Sequence, residues 1–422
     1  MTGYFDRFVA ASSSRGTLVV QPRMGFGRVG SMQAGLREVA SLDLPVVGTL
    51  TIDSYTRVGD HATPLERLAA GEELNGYPIV SHPAATTRAM LDGLYGPGFP
   101  VQVRHGTARP IHVFRRLVEV GLDATEGGPV SYCLPYSRIP LADAVRAWAE
   151  SCRLLAGETE HGHVESFGGC LLGQLCPPSL LVAMTVLEGC FFREHGLRHM
   201  SLSYAQGTHP AQDRGALRAL RDLAGTYLGD VTWHVVLYTY MGLFPRTPRG
   251  ATALIEESAR LARDSGSERL IVKTVSEAWQ IPSVAENVSA LRLASAAAAG
   301  PAAPATALEA EFYEETLGEA RAIIEAVLNA DGNTGTALVE SFRRGVLDIP
   351  YCLHPDNPAA ATCVIDDRGA LTWGSRGRLP LGGPPRPAGS DRLASDQLYD
   401  MLNHVVRQYD DNEYERGWIQ PS

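Results

Sequence analysis

The stretch Thr17-Leu18-Val19-Val20-Gln21-Pro22-Arg23 is an apolar run typical of a buried strand, and helical periodicity follows it over residues 29–41. The same alternation recurs along the chain. Further strands are predicted over residues 49–57, 101–104, 130–135, 164–172, 200–204, 232–240 and 270–273. Further helices are predicted over residues 84–94, 111–120, 141–155, 178–194, 210–227, 248–265 and 284–297. Eight strand–helix units predict an α/β fold, the (β/α)8 or TIM barrel.

A doubly wound open sheet is the alternative fold for such an alternation. It is disfavoured because no GxGxxG sequence follows the first predicted strand. The pattern then changes after residue 297, where an Ala/Pro-rich stretch predicts a linker. The later elements are predicted as helices over residues 306–329, 334–346 and 394–409, and an irregular segment over 348–390 with a hairpin at 363–373. We therefore predict a catalytic barrel over residues 1–297 and a C-terminal extension over residues 298–422 that packs on it.

The composition narrows the class of protein. A net charge of -10 disfavours a general nucleic-acid surface. The seven cysteines are scattered without a CxxC pair, which is typical of a reducing compartment and gives no disulfide framework or zinc ribbon. The N-terminus has no apolar signal core, and no apolar run reaches the ~18 residues that a membrane span needs. These features predict a cytoplasmic protein with neither a nucleic-acid nor a membrane partner.

The first three predicted strands each end in an arginine, namely Arg23, Arg57 and Arg104. In a barrel these ends meet at one mouth, where the active site is built. Three guanidinium groups repel one another there unless anions lie between them, and arginine binds carboxylates bidentately. The pattern predicts a small substrate with more than one carboxylate, or a phosphate. The alternative is that each arginine pairs with an acid at the barrel rim.

Around the fourth predicted strand, Glu126 is followed by Tyr132 and Tyr136. A glutamate among arginines is suited to bind a substrate ammonium group or to act as a base. Tyr132 is the better candidate for a core residue of the two tyrosines. Arginines for carboxylates and a carboxylate for an ammonium group together describe an acidic amino acid.

The chain contains a single lysine, Lys273, among its 37 Lys+Arg residues. It ends the eighth predicted strand and precedes Glu277 by four residues. An ammonium is a compact donor with rotatable protons, a role that the planar guanidinium does not fill. The pair is suited to the hydroxyls of a bound ribose. A plain ion pair and chance survival of a surface lysine are the alternatives.

No metal site is predicted. His161 and His163 form an HxH sequence, but no further ligand spacing along the chain supports it. His195, His199 and Cys190 are interpreted as core or surface residues. A Ser-His-Asp hydrolase is disfavoured because the sequence has no GxSxG elbow.

Taken together, twelve segments resemble the epsilon (large) subunit family of glutamate mutase, also called methylaspartate mutase. The resemblance extends from about residue 18 to about residue 381. Its segments are Gln21-Pro22-Arg23, Thr51-Ile52-Asp53-Ser54-Tyr55-Thr56-Arg57, Leu74-Asn75-Gly76-Tyr77-Pro78, Arg104-His105-Gly106-Thr107, Glu126-Gly127-Gly128, Ser131-Tyr132, Pro135-Tyr136, Pro177-Pro178-Ser179, Met241-Gly242, Phe244-Pro245, Val272-Lys273-Thr274 and Glu277-Ala278. So many matches in the same order make the resemblance specific.

Members of this family are adenosylcobalamin-dependent isomerases that interconvert L-glutamate and (2S,3S)-3-methylaspartate by a radical rearrangement. The resemblance implies that Arg23, Arg57 and Arg104 hold the substrate carboxylates. It further implies that Glu126 holds the ammonium group and is the candidate base. His105, Tyr132 and Tyr136 are the other implied substrate residues. The implied cofactor contacts are Gly25, Asn75, Pro135, Phe244, Lys273, Glu277 and Ile281, with Lys273 and Glu277 at the adenosyl ribose.

The resemblance also implies partners. In this family a separate small (sigma) subunit grips cobalamin through an Asp-x-His-x-x-Gly motif, which this sequence lacks. The missing motif is as expected for a large subunit with an obligate small-subunit partner, and the resemblance further implies a homodimer of the large subunit within a heterotetramer. Two other classes stay open: a non-radical lyase or aldolase acting on an acidic amino acid, with Lys273 as Schiff-base nucleophile, and a non-catalytic binding subunit that regulates a partner.

Overall fold

The computed structural model describes residues 3–382 and 395–416. Eight parallel strands form a barrel: β1 Val19–Pro22, β2 Gly48–Thr51, β3 Val101–Arg104, β4 Ala124–Gly127, β5 His163–Ser166, β6 His199–Ala205, β7 Thr232–Tyr238 and β8 Arg269–Val272. Their order is β1-β8-β7-β6-β5-β4-β3-β2, and a parallel bridge between Val20 and Val46 joins the two ends. The predicted (β/α)8 barrel is confirmed.

Helices surround the barrel and extend beyond it. Those of the first part are α1 Tyr4–Ser13, α2 Val29–Ala40, α3 Ser54–Arg57, α4 Thr63–Ala69, α5 Ala84–Leu91, α6 Ile111–Val120, α7 Leu141–Glu158, α8 Pro178–Glu194, α9 Pro210–Tyr227, α10 Pro248–Ser265 and α11 Val284–Ala297. The C-terminal elements are α12 Ala307–Leu328, α13 Thr334–Arg344, the hairpin strands β9 Ala361–Ile365 and β10 Leu371–Arg376, and α14 Ser395–Arg416.

Several helices begin where their sequences provide a start signal. Helices α8, α9 and α10 each open with proline, whose fixed φ suits the first turn and whose missing N–H is not needed there. Helix α11 opens with a capping box in which Ser283 and Glu286 bond each other's backbone N–H groups. These local signals explain why the predicted bounds of the four helices match the observed ones.

The fourth strand was predicted in the wrong place. The strand is Ala124–Gly127, and the apolar run at residues 130–135 forms buried turns. A short apolar run has no periodicity that distinguishes a strand from another buried segment. The correction moves Glu126 into the strand itself.

The second and fifth strands are shorter than predicted. After β2, Asp53 accepts from the backbone N–H groups of Tyr55 and Thr56 and starts the short helix α3, so Arg57 lies on a helix. After β5, the chain forms two 3-10 turns over Gly168–Cys170 and Gly173–Leu175. Helices α1, α3 and α4 were not predicted.

Most of the apolar core lies between the barrel and its surrounding helices, whereas the barrel interior is largely polar. Arg269 and Glu165 form a fully buried ion pair there. Gln21 donates to Gln102 at 2.8 Å, and Gln102 donates to Glu165 at 3.2 Å. Buried charges of this kind stabilise a fold only while every partner is present, and removing one partner costs about 3–5 kcal/mol.

The C-terminal elements pack on the outside of the barrel. Helix α12 lies against α8 and α9, and α14 lies against α10. The predicted helices and the hairpin are confirmed, whereas residues 383–390 of the predicted irregular segment lie outside the described residues. The division at residue 297 stays a prediction. In the described part of the chain, no helix combines the length and the apolar character needed to cross a membrane.

We expect Gly169→Ala to destabilise the protein by about 1–3 kcal/mol or more, because the added methyl would overlap the backbone carbonyl of Ser203. Gly157→Ala is the matched control, since nothing lies within 4 Å of the new methyl on helix α7. There alanine should stabilise the helix by about 0.5–1 kcal/mol. Urea unfolding measures both changes, and equal midpoints for the two variants would contradict the close packing of the turn.

Candidate active site

A cavity of about 1100 Å³ opens at the carboxyl ends of the strands. All three predicted arginines contribute to its wall, although they come from different elements. Arg23 follows β1, Arg57 ends α3, and Arg104 ends β3. The other predicted residues in the wall are His105, Glu126, Tyr132, Pro135 and Tyr136.

Arg104 and Glu126 form the innermost pair of the cavity. The Arg104 Nε atom donates to Glu126 Oε2 at 2.6 Å, and their side chains are only 5% and 2% exposed. The Tyr132 hydroxyl donates to the other carboxylate oxygen. Arg104 therefore matches the alternative interpretation of the three arginines, in which an arginine pairs with an acid of the protein. That acid is the residue expected to hold an ammonium group.

Tyr238, which the sequence analysis did not select, completes this group. Its hydroxyl donates to Glu126 Oε2 at 2.8 Å and also contacts Glu165. Its ring lies 5.2 Å from the guanidinium carbon of Arg104. A phenol has one proton, so Tyr238 links the two carboxylates without fully satisfying both. Its position at the end of the seventh predicted strand was the signal that could have identified it.

Arg57 differs from the other two arginines. Its Nη2 atom donates weakly to the Ile52 carbonyl at 3.4 Å. Among the side chains that the structure describes, no carboxylate forms an ion pair with Arg57. Arg57 is exposed in the cavity and is free to bind an anionic ligand.

His105 is a buried neighbour of Arg57. Burial, assisted by the positive charge of Arg57, lowers the pKa of His105 to about 3. The imidazole is therefore neutral at physiological pH. Its Nδ1 atom accepts from the Thr107 N–H at 3.2 Å, and its ring stacks on Trp148.

A second charged group contains Lys273, Glu277 and Arg23. Lys273 Nζ lies 3.2 Å from Glu277 Oε1, and Arg23 Nη1 lies 3.0 Å from the same oxygen. The predicted pair is thus present, with an arginine added to it. Burial lowers the pKa of Lys273 to about 8. Burial alone would raise the pKa of Glu277, but the two cations hold it below its ordinary value.

The other implied cofactor residues occupy varied positions. Phe244 is buried, and its ring lies 5.1 Å from Lys273 Nζ. Gly25 packs against the Thr51 carbonyl, where an added methyl would overlap. Asn75 accepts from the Ser54 N–H at 3.0 Å and braces the start of α3. Ile281 is 66% exposed. Gly25 and Asn75 therefore have packing and bracing roles in the fold itself.

The turn that carries Tyr132 is held from behind by Glu188 on α8. Its carboxylate accepts from the N–H groups of Val130 at 3.2 Å and Ser131 at 2.9 Å, and from the Ser166 hydroxyl at 2.9 Å. Burial raises the pKa of Glu188 to about 7. Glu188 was missed because its sequence context is an ordinary apolar helix.

The single lysine makes a direct test of this electrostatic setting possible. With Nζ-labelled lysine, NMR should give one side-chain signal that titrates near pH 8, because burial disfavours the ammonium form. Glu277→Gln should lower the midpoint further by removing the neighbouring negative charge. A midpoint near 10.5, the ordinary value for lysine, would contradict the burial of Lys273.

The chain is similar to known proteins over most of its length. A family model for the methylaspartate mutase E chain (MutE) matches residues 2–394. The glutamate mutase epsilon subunit of Escherichia coli O157:H7 is 32% identical over 352 residues, covering 78% of this chain and 72% of that protein. That of Halobacterium salinarum is 32% identical over 378 residues, covering 86% and 77%.

The glutamate mutase epsilon subunit of Desulfitobacterium hafniense is 30% identical over 413 residues, covering 92% of this chain and 84% of that protein. The similarity therefore extends through the barrel and into the C-terminal elements. Because the family model and these relatives match most of its length, this chain belongs to the methylaspartate mutase E chain family of isomerases.

Proposed function

We propose that this chain is the large catalytic subunit of an adenosylcobalamin-dependent glutamate mutase that converts L-glutamate to (2S,3S)-3-methylaspartate. The observation that carries the proposal is the buried Arg104–Glu126 pair with the unpaired Arg57 in the same cavity. This arrangement offers two cations and one carboxylate to a ligand. The relatives' names supply the reaction.

The substrate would bind by exchanging partners with the protein. Arg57 grips one carboxylate bidentately, as a planar guanidinium can. Arg104 then turns from Glu126 to the other carboxylate, while Glu126 receives the ammonium group. Arg104 and Glu126 each exchange one opposite charge for another, and Arg57 gains one, so none of the three is left unpaired when the substrate is bound.

The residues at β8 fit the adenosyl part of the proposed cofactor. Lys273 supplies a donor and Glu277 an acceptor on one buried wall, which suits two ribose hydroxyls. Phe244 lies beside the ammonium group of Lys273 and adds an apolar surface. When bound, adenosylcobalamin supplies an adenosyl radical that abstracts hydrogen from a substrate.

The protein's own part is to hold the substrate and to exclude water. During the rearrangement glutamate separates into a glycyl radical and acrylate, and each fragment keeps one carboxylate. Arg57 and Arg104 can thus retain both fragments while they recombine. Tyr132 and Tyr136 flank the same cavity and limit movement of the fragments.

The partner we propose is the small cobalamin-binding sigma subunit, in a heterotetramer built on a homodimer of this chain. Trp279 and Ile281, which follow β8, are 68% and 66% exposed. Leu243, between β7 and α10, is 46% exposed. Apolar side chains exposed on the loops at the mouth support docking of a partner on that side.

The direct test combines the purified chain with a sigma subunit, adenosylcobalamin and L-glutamate without air, and detects 3-methylaspartate by NMR. Product that requires both the partner and the cofactor would establish the activity. Failure to form product with a sigma subunit that is active beside another large subunit would refute it.

Arg57→Lys should lower kcat/KM on the order of 100-fold, because lysine cannot hold a carboxylate bidentately and the substrate loses its orientation. Arg88→Lys is the matched control, since exposed Arg88 bonds only the Glu119 carbonyl in the described structure. Steady-state assays measure kcat/KM for both variants, and only Arg57→Lys should show the loss. Equal activity would exclude Arg57 as a substrate ligand.

Tyr238→Phe should lower kcat/KM by about 10- to 100-fold, since a hydrogen bond to a charged group contributes about 1.5–3 kcal/mol. Tyr240→Phe is the control, because the buried Tyr240 hydroxyl has no partner among the described residues. Equal kcat/KM in Tyr238→Phe and the wild type would show that this hydroxyl does not support the function of Glu126.

A non-radical lyase or aldolase is the second candidate, favoured by the low pKa of Lys273, about 8. A lysine with a lowered pKa has a larger neutral fraction at physiological pH than an ordinary lysine, which favours formation of a Schiff base. Borohydride added with the acidic substrate would then label the single lysine-containing peptide. Absence of the adduct, together with cofactor-dependent product, would leave the mutase reaction alone.

A further inference from the structure

The opposite, N-terminal end of the barrel contains an unexpected group of buried side chains. Asp6 on α1 lies beside His163 at the start of β5 and His234 near the start of β7. Their exposed fractions are 9%, 0% and 7%. Residues at this end of a barrel serve stability, whereas the chemistry is at the other end.

The three side chains have the spacing of metal ligands. Asp6 Oδ1 lies 3.0 Å from His163 Nδ1 and 3.8 Å from His234 Nδ1. All three potential ligand atoms lie within 4.8 Å of one another. In a tetrahedral zinc site with bonds of about 2.0–2.2 Å, neighbouring ligand atoms are separated by roughly 3.3 Å. A single ion fits between these atoms with small side-chain movements.

The surroundings support such ligands. His163 Nε2 lies 2.9 Å from the Ser201 hydroxyl, which donates to Glu165 at 3.1 Å. Metal-binding histidines commonly donate their second ring N–H to a chain of this kind that ends in a carboxylate. On the other side, His199 Nδ1 lies 3.3 Å from Asp6 Oδ2. Asp6 Oδ2 and His199 Nδ1 are both buried, and neither atom forms a hydrogen bond with a described residue.

The charge of this region also favours a cation. Asp6, Asp123 and Glu165 are buried acids, and Arg269 is the cation among them. The carboxylate oxygen Asp123 Oδ2, like Asp6 Oδ2, has no hydrogen-bond partner in the described part of the chain. A divalent ion would compensate the negative charge of these acids.

We propose that Asp6, His163 and His234 bind one divalent transition-metal ion, with Zn²⁺ as the best match to imidazole and carboxylate ligands. The ion would fasten helix α1 to the floor of the barrel. Spacing along the chain gave no metal site, because Asp6 lies 157 residues from His163. Only His163 of the HxH pair faces this group, whereas His161 contacts His199.

Binding requires one local change. Arg269 Nε now donates to His234 Nε2 at 3.4 Å, which leaves the proton of His234 on Nδ1. A metal on Nδ1 places the proton on Nε2, so this long contact opens. Arg269 still has Gln21 and Glu165 as acceptors. The ion can enter past His199, whose side chain is 20% exposed.

The test uses the full chain, stripped with a chelator and then titrated separately with Zn²⁺ and Co²⁺. We expect about one equivalent of Zn²⁺ by elemental analysis and a rise in melting temperature on adding it. Co²⁺ should give the visible absorption of a tetrahedral nitrogen and oxygen site. Sulfur-to-cobalt charge transfer would instead reveal binding to cysteine and would overturn the proposal, as would clearly less than one bound equivalent.

Variants locate the site. Asp6→Asn and His234→Gln should weaken binding by about tenfold or more. His195→Gln is the matched control, because His195 lies at the end of α8 and contacts Phe191 rather than this group. Unchanged binding in Asp6→Asn and His234→Gln would refute the assignment. If those variants do not fold, X-ray absorption of the wild-type zinc form decides, since two imidazoles and one oxygen at about 2.0–2.1 Å are required.

Discussion

The buried ion pair between Arg104 and Glu126 is the interaction on which the rest of this site depends. Two opposite charges in a water-poor cavity are tolerated only as a pair. The pair therefore keeps the cavity stable without a ligand and prepares it for one that carries both charges. An amino acid with two carboxylates can replace each partner in turn. The proposed acidic amino acid substrate matches this exchange.

The polar interior of the barrel continues the network of the Arg104–Glu126 pair toward the N-terminal ends of the strands. Tyr238 connects Glu126 to Glu165, and Glu165 pairs with Arg269 near the barrel floor. Most barrels fill this space with branched apolar side chains. Here a continuous network replaces them and connects the Arg104–Glu126 pair to the buried Arg269–Glu165 pair. The candidate site and the barrel interior therefore share one set of hydrogen-bonded charges.

Lys273, the single lysine of the chain, has surroundings that suit an ammonium group. Glu277 accepts from both Lys273 and Arg23, so this ion pair links the ends of the neighbouring strands β8 and β1. A guanidinium in place of Lys273 would be larger and would keep its charge at any physiological pH. The ammonium fits a small buried space beside Phe244.

Some of this protein was decided by the sequence alone. Periodicity, proline starts and caps act over a few residues, so the barrel and five exact helix ranges were predictable, as was the meeting of three arginines at one cavity. The resemblance identified the family because matched segments keep their order along the chain.

Tertiary structure decided which of these residues meet. Sequence placed Glu126 beside a misassigned strand and missed Tyr238, which bonds it from 112 residues away. It gave no reason to connect Asp6 with His163, 157 residues apart. Local patterns report the conformation of a segment, whereas ion pairs, shared protons and metal ligands depend on distances that exist only after the strands have closed into a barrel.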